Sequence, residues 1–143
     1  MTRADIEGIF ERQVSSWNRH DPEAVALFHT ADGIVESPMY ATRHGREAIE
    51  EAYAAFFKSF PDASMRVEAL VIEPPNVAVF ATVQATHIND FFGLPGTNRR
   101  IELRHSRLLK LDENGLITHE RRVYDFTGVL VQIGVLRAKP AKP

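Results

Sequence analysis

Cysteine is absent from this chain of 143 residues. That excludes a disulfide framework, a thiol nucleophile and a thiolate metal site, and it fits a reducing, cytoplasmic setting. Neither sign of charge is in large excess: 17 Lys and Arg stand against 19 Asp and Glu, a formal net charge of −2. Such a chain carries no basic field for nucleic acid or for an anionic membrane. No apolar run reaches the length that spans a bilayer, and the opening MTRADIEGIF lacks the long apolar core of a signal peptide. Internal repeats and low-complexity linkers are also missing. What remains is one ordinary globular domain, expected over residues 1–137, with the basic, Pro-containing end 138–143 expected to be a frayed tail. A chain of this length buries roughly two-thirds of its unfolded surface and needs no staple.

The first half has helical periodicity. Ile6, Ile9, Phe10, Val14 and Trp17 recur at spacings of three and four, which predicts a helix over about residues 3–20. Asp21 is placed to cap a second helix, over 22–30, with Pro22 at its first position. Ala48, Ile49, Ala52, Tyr53, Phe56 and Phe57 form the apolar stripe of a third, over 45–60. Between the second and third, residues 33–38 read as a short strand. Strand-like runs then follow at 65–73, 77–87, 100–111 and 117–126, separated by Pro-, Asn- and Gly-containing turns. Helices first and a meander of long strands later predicts an α+β fold: a highly curved antiparallel sheet packed on one face by three N-terminal helices, a cone with a cavity at its open end.

Alternation along the strands points to the lining of that cavity. Ile101, Leu103, Leu109 and Leu111 mark one face of their strand as the core face, yet His105 and Arg107 share it. His87 ends the small apolar face of Val79, Ala81, Val83 and Ala85. In the last strand His119, Arg121, Val123 and Asp125 share one side, and Glu120, Arg122 and Tyr124 the other. Taking the first of these sides as inward, three strands each send ionisable groups into an apolar interior, which suggests a convergent polar site. The competing reading is a buried ion-pair network of Arg107, Arg121 and Asp125 with no chemistry. The stretch THINDFFGLPGTNRR, residues 86–100, reads as the lip of the pocket. Two histidines and an aspartate are the makings of a metal triad. They lie on different strands without local ligand spacing, so no metal is expected.

The chain resembles the SnoaL-like polyketide cyclases and ester-cyclase-like proteins of the NTF2-like superfamily. The resemblance runs through Trp17-Asn18-Arg19-His20-Asp21-Pro22, Gly45-Arg46-Glu47-Ala48-Ile49 and Phe60-Pro61-Asp62. It is most specific at His87 with Phe92-Gly93-Leu94-Pro95-Gly96-Thr97, and at Asp125-Phe126-Thr127-Gly128 followed by Gln132-Ile133-Gly134. It implies an NTF2-like cone and cofactor-free acid/base chemistry at a carbon activated by carbonyls, as in an intramolecular aldol ring closure. It also implies that Asp125 is the catalytic acid/base and His87 a pocket residue that assists it. His105, Arg107, Arg121, Phe92, Trp17 and Tyr40 are then the expected substrate-binding residues, around a small hydrophobic or polyketide-like substrate. Arg121 stands where relatives commonly carry tryptophan, so the pocket is more cationic than the type. Isomerase, dehydratase or epoxide hydrolase chemistry on the same scaffold, and a non-enzymatic binder of a hydrophobic acid, are the alternatives. Relatives often pair through the outer sheet face, and a homodimer or higher even oligomer is expected, with Glu102, Arg104, Ser106, Glu120, Arg122 and Tyr124 on that face.

Overall fold

The computed structural model describes residues 1–137; the tail expected at 138–143 lies outside them. Helix α1 (Arg3–Asn18) starts at a reciprocal cap in which Thr2 and Asp5 each satisfy the other's backbone N–H, and it buries Ile6, Phe10, Gln13 and Trp17. Helix α2 (Pro22–Ala26) is capped by Asp21, whose carboxylate accepts from the Ala24 N–H at 3.0 Å. It is five residues long rather than nine. Strand β1 (His29–Ser37) takes over the chain, because Phe28 and His29 are captured by β6 (Ile117–Tyr124): the Ile117 N–H donates to the Phe28 carbonyl at 2.8 Å. Strand β2 (Tyr40–His44) returns beside β1, and α3 (Arg46–Ser59) follows, burying Ile49, Tyr53 and Phe57.

Three long strands complete the sheet: β3 (Ser64–Glu73), β4 (Asn76–Thr86) and β5 (Arg100–Leu111). The strand order is β2-β1-β6-β5-β4-β3. Neighbours are antiparallel except β1 and β6, so the sheet is mixed rather than wholly antiparallel. Bulges in β1, β3 and the β5–β6 pair bend it. A fourth helix, α4 (Phe126–Gln132), closes the chain's path and buries Val129 against the sheet. The core sits between α1 and α3 and the concave face, where Val77, Val79, Ala81, Val83 and Ala85 of β4 meet Leu103 and Leu109 of β5.

The bulge between β5 and β6 decides which side chains look inward. Leu111 pairs with Ile117 but Lys110 pairs with His119, so Thr118 is the extra residue. Ile117 points into the core, and after the bulge the phase is shifted by one. Directly opposed residues share a face of the sheet. Leu109 is opposite Glu120, Arg107 opposite Arg122 and His105 opposite Tyr124. Glu120, Arg122 and Tyr124 therefore face inward, and His119, Arg121, Val123 and Asp125 face out. This corrects the face expected from uninterrupted alternation, for the cavity and for the outer sheet surface alike.

Candidate active site

An apolar-walled cavity lies between the helices and the concave sheet face. Trp17 of α1 and Ala52, Tyr53 and Phe56 of α3 form one wall; Met39 and Tyr40 stand at the β1–β2 turn; Met65, Val83 and Leu103 form the facing wall. His105, Arg107, Arg122 and Tyr124 supply the polar side.

The polar side is a network centred on Glu120, which is fully buried. Arg122 Nε donates to Glu120 Oε2, while Arg107 Nη1 reaches Glu120 Oε1 at 3.4 Å and its Nη2 reaches Gln13 Oε1 at 3.3 Å. His29 Nε2 stands 3.6 Å from Glu120 Oε1. The other two nitrogens of Arg122 donate to the Tyr40 and Tyr53 hydroxyl oxygens, each at 2.8 Å. Tyr124 shares a hydrogen bond of 2.6 Å with Ser37. A buried charge persists only when paired and hydrogen-bonded, and this arrangement pairs it on both oxygens.

The local field follows from that geometry. Burial alone would lift the Glu120 carboxyl, but Arg122, then Arg107 and His29, hold it well below the ordinary carboxylate range. Burial opposes the charge of Arg122, and Glu120 more than offsets it, so the guanidinium stays protonated. Burial pushes the Tyr53 phenol up, against the pull of Arg122. It also pushes His105 down to about 4, and Arg107 and Arg122 push the same way. His105 is thus a neutral imidazole at pH 7, placed in the cavity.

That depression has a consequence for stability. Below its ordinary value of 6.5 the unfolded chain protonates His105, whereas the folded chain refuses the proton until about pH 4. Stability therefore falls as pH drops through that window. The expected loss is on the order of 2–3 kcal/mol, allowing for solvent at the cavity mouth. Urea unfolding midpoints from pH 7 to 4 will show the decline in the wild type and a shallower one in His105→Gln.

Of the residues expected at the site, Arg107, His105, Trp17 and Tyr40 line the cavity. The other four lie outside that lining. Asp125 is exposed, and its carboxylate caps α4 by accepting from the Gly128 N–H at 2.8 Å. A Cβ at Gly128 would lie 2.4 Å from Asp125 Oδ2, so the Asp-x-x-Gly spacing here serves a tight helix cap. Arg121 is exposed on the outer face. His87 is fully buried but does not line the cavity; its ring lies among Phe60, Phe91 and Thr97, with Nδ1 3.1 Å from Thr97 Oγ1. Phe92 is 58% exposed and packs on Phe91 and Phe126 outside the cavity.

The loop after His87 is a fixed feature of the surface. Phe91 and Leu94 exchange two backbone hydrogen bonds of 2.9 Å around Phe92 and Gly93, both at positive φ. Gly96 approaches so closely that a Cβ would sit 1.9 Å from the Ile88 carbonyl oxygen. Ser59, at the end of α3, accepts from the Ile88 and Asn89 N–H groups through its carbonyl and donates to the Asp90 carbonyl through its hydroxyl. The loop therefore ties the end of α3 to the ends of β4 and β5.

Tyr53 was read as part of the buried stripe of α3, and Glu120, Arg122 and Tyr124 were placed on the outer face by alternation. The signal for them was the weak apolar content of β6, which leaves its phase unmarked beyond Ile117. Among the described residues, no group of three His, Asp or Glu side chains is placed to hold a metal ion, and no helix is long and apolar enough to cross a membrane.

Known proteins share this architecture. AclR from Streptomyces galilaeus superposes with a TM-score of 0.84 at 24% identity, over 97% of this chain and 87% of that one. TsrD from Streptomyces laurentii gives 0.84 at 20% identity, over 95% and 99%. A Catenulispora acidiphila protein with a ketosteroid isomerase-like fold, solved with trimethylamine, gives 0.78 at 20% identity, over 92% and 97%. At these identities the likeness establishes the NTF2-like, ketosteroid isomerase-like fold. A search of curated protein sequences finds no match. The family model for SnoaL-like polyketide cyclases matches residues 9–133. With nearly the whole chain inside that match, and the helix-packed cone with its apolar cavity in place, the chain belongs to the SnoaL-like polyketide cyclase family.

Proposed function

We propose that this chain is a small-molecule enzyme that moves a proton at a carbonyl-activated carbon, without a cofactor, as a prelude to ring closure or isomerisation of a polyketide-like substrate. The observation that carries the reading is the pairing, in one apolar cavity, of a neutral imidazole with a cationic polar side. His105 takes the proton expected of Asp125. Its basicity is low in this setting, but it rises as negative charge develops on the substrate oxygen beside it. Arg122 and the two phenols it holds stabilise that oxygen as enolate. The apolar walls exclude water, which strengthens both effects. His87, once its buried setting is known, supports the reaction only by fixing the loop.

Proton exchange is the direct test. In deuterated buffer the protein should accelerate exchange at the α-carbon of a cyclic β-keto ester by at least roughly 10²-fold over buffer, the low end for a positioned acid/base group. Occupancy of the cavity with no exchange across such carbon acids would leave a binding protein, not an enzyme.

The assembly is part of the same proposal. Phe80, Leu108 and Val123 are 46%, 54% and 60% exposed on adjacent strands of the outer sheet face, with Glu102, Arg104 and Ser106 around them. An apolar patch of this kind on a sheet suits a self-complementary dimer. Light scattering should give twice the chain mass at micromolar concentration, and Val123→Glu should return it to the chain mass.

A further inference from the structure

Among the described residues, the cavity's polar side carries one positive charge more than its carboxylate balances. Two guanidinium groups, Arg107 and Arg122, share one carboxylate, Glu120. Among the described residues, no aspartate or glutamate lines the cavity. An unbalanced cation beside apolar walls costs free energy, and a bound anion would relieve it.

The hydroxyls point to where that anion sits. Tyr40 and Tyr53 both line the cavity, and both oxygens accept from the same guanidinium fork. A phenol whose oxygen already accepts from Arg122 must send its own proton elsewhere. Among the described residues no side chain or backbone acceptor takes either proton within hydrogen-bond range. The protein thus holds two phenolic O–H donors side by side, polarised from behind by a cation, with no acceptor of their own. Arg43 lies over the ring of Tyr40, its guanidinium carbon 4.7 Å from the ring centre, and helps fix it.

We infer that this cavity binds its ligand as a monoanion, an apolar ring compound with one negatively charged oxygen seated between the Tyr40 and Tyr53 hydroxyls. The inference rests on the cavity being the ligand site and deepens the proposed function by naming the charge of the ligand and the residues that read it. It holds for a substrate enolate and for a carboxylate that is only held. Tyr40 and Tyr53 are recognition residues; Arg122 is charged support behind them, and Glu120 sets its orientation.

The test compares anions with neutral twins of the same shape. Trp17 is the chain's one tryptophan and lines the cavity, so its indole N–H signal in NMR reads occupancy. The probes are 2-naphthoate against 2-naphthamide, and the enolate of 5,5-dimethylcyclohexane-1,3-dione against its neutral methyl enol ether. At least one anion should bind tenfold or more tighter than its twin, about the scale of one hydrogen bond to a charged group. Preference for the enolate alone assigns an enolate, and preference for the carboxylate alone assigns an acid. In Tyr40→Phe the preference should shrink by about the same factor while the neutral twin's affinity stays within about twofold. Equal binding of anions and twins by the wild-type protein overturns the inference, whether or not α-proton exchange is seen. So does an anion preference that survives in both Tyr40→Phe and Tyr53→Phe. Loss of exchange with the anion preference intact would instead count against catalysis alone.

Discussion

Glu120→Gln should cost about 3–5 kcal/mol of stability, the scale for removing one partner of a buried ion pair. The side chain is fully buried and answers two guanidinium groups. The amide keeps the shape and one acceptor, but it leaves Arg107 and Arg122 facing each other's charge with no counter-ion. His29 loses its charged neighbour as well. A urea midpoint lowered at unchanged slope is the expected signature, since the folded surface does not change. The wild-type contribution of Glu120 should also be sensitive to acid only at low pH. Its carboxyl is held well below the ordinary value of 4.5, so its stabilisation is complete above that value and disappears as pH falls through the lowered folded one. That window begins at the acid end of the one set by His105 and extends below it.

Arg122→Gln should lower α-proton exchange by roughly 10² to 10³ per folded molecule, the effect of removing a donor to a developing oxyanion. The substitution removes the cation behind Tyr40 and Tyr53 and frees both phenols to turn. Glu120 keeps Arg107 as its partner, so the site retains a paired charge. Substrate affinity for a neutral ketone should move much less than the rate, because the lost interaction strengthens only as the oxygen becomes negative. Equal falls in affinity and rate would instead mark Arg122 as a ground-state contact.

The helices were legible because their apolar stripes are long. Ile6, Phe10 and Trp17, and Ile49, Tyr53 and Phe57, are the apolar residues that α1 and α3 bury. The inward face of β5 was legible for the same reason: Ile101, Leu103, Leu109 and Leu111 bracket His105 and Arg107 and leave no choice of side. In β6 only Ile117 marks the inside, and the bulge at Thr118 reverses the phase directly after it. Val123, the apolar residue that made the wrong side plausible, is 60% exposed. Glu120 was illegible on principle, since a fully buried carboxylate is improbable until its partners are known. Besides Arg122 on its own strand, those partners come from β1 and β5, His29 and Arg107, far apart in the chain.

Asp125 illustrates a different limit. Resemblance marked it as functional, while its own surroundings, an aspartate three residues before a glycine and just ahead of an apolar run, carried the mark of a helix cap. Its geometry is that of the cap. Strand β2, Tyr-Ala-Thr-Arg-His, went unread because an edge strand of that composition shows no alternation. Its first residue nonetheless supplies one of the cavity's three phenols.

Whether the chemistry belongs to the cavity of His105, Arg122 and Tyr53, as proposed, or to the carboxylate at the start of α4 is decided most directly by one comparison. Initial rates of α-proton exchange on a β-keto ester are measured for wild type, His105→Gln and Asp125→Asn, each corrected for folded fraction. A base in the cavity predicts a fall of roughly 10² or more for His105→Gln. It predicts a rate within about twofold of wild type for Asp125→Asn, whose loss is that of a helix cap, on the order of 1 kcal/mol of stability. The reverse pattern, with exchange lost in Asp125→Asn and kept in His105→Gln, would contradict it.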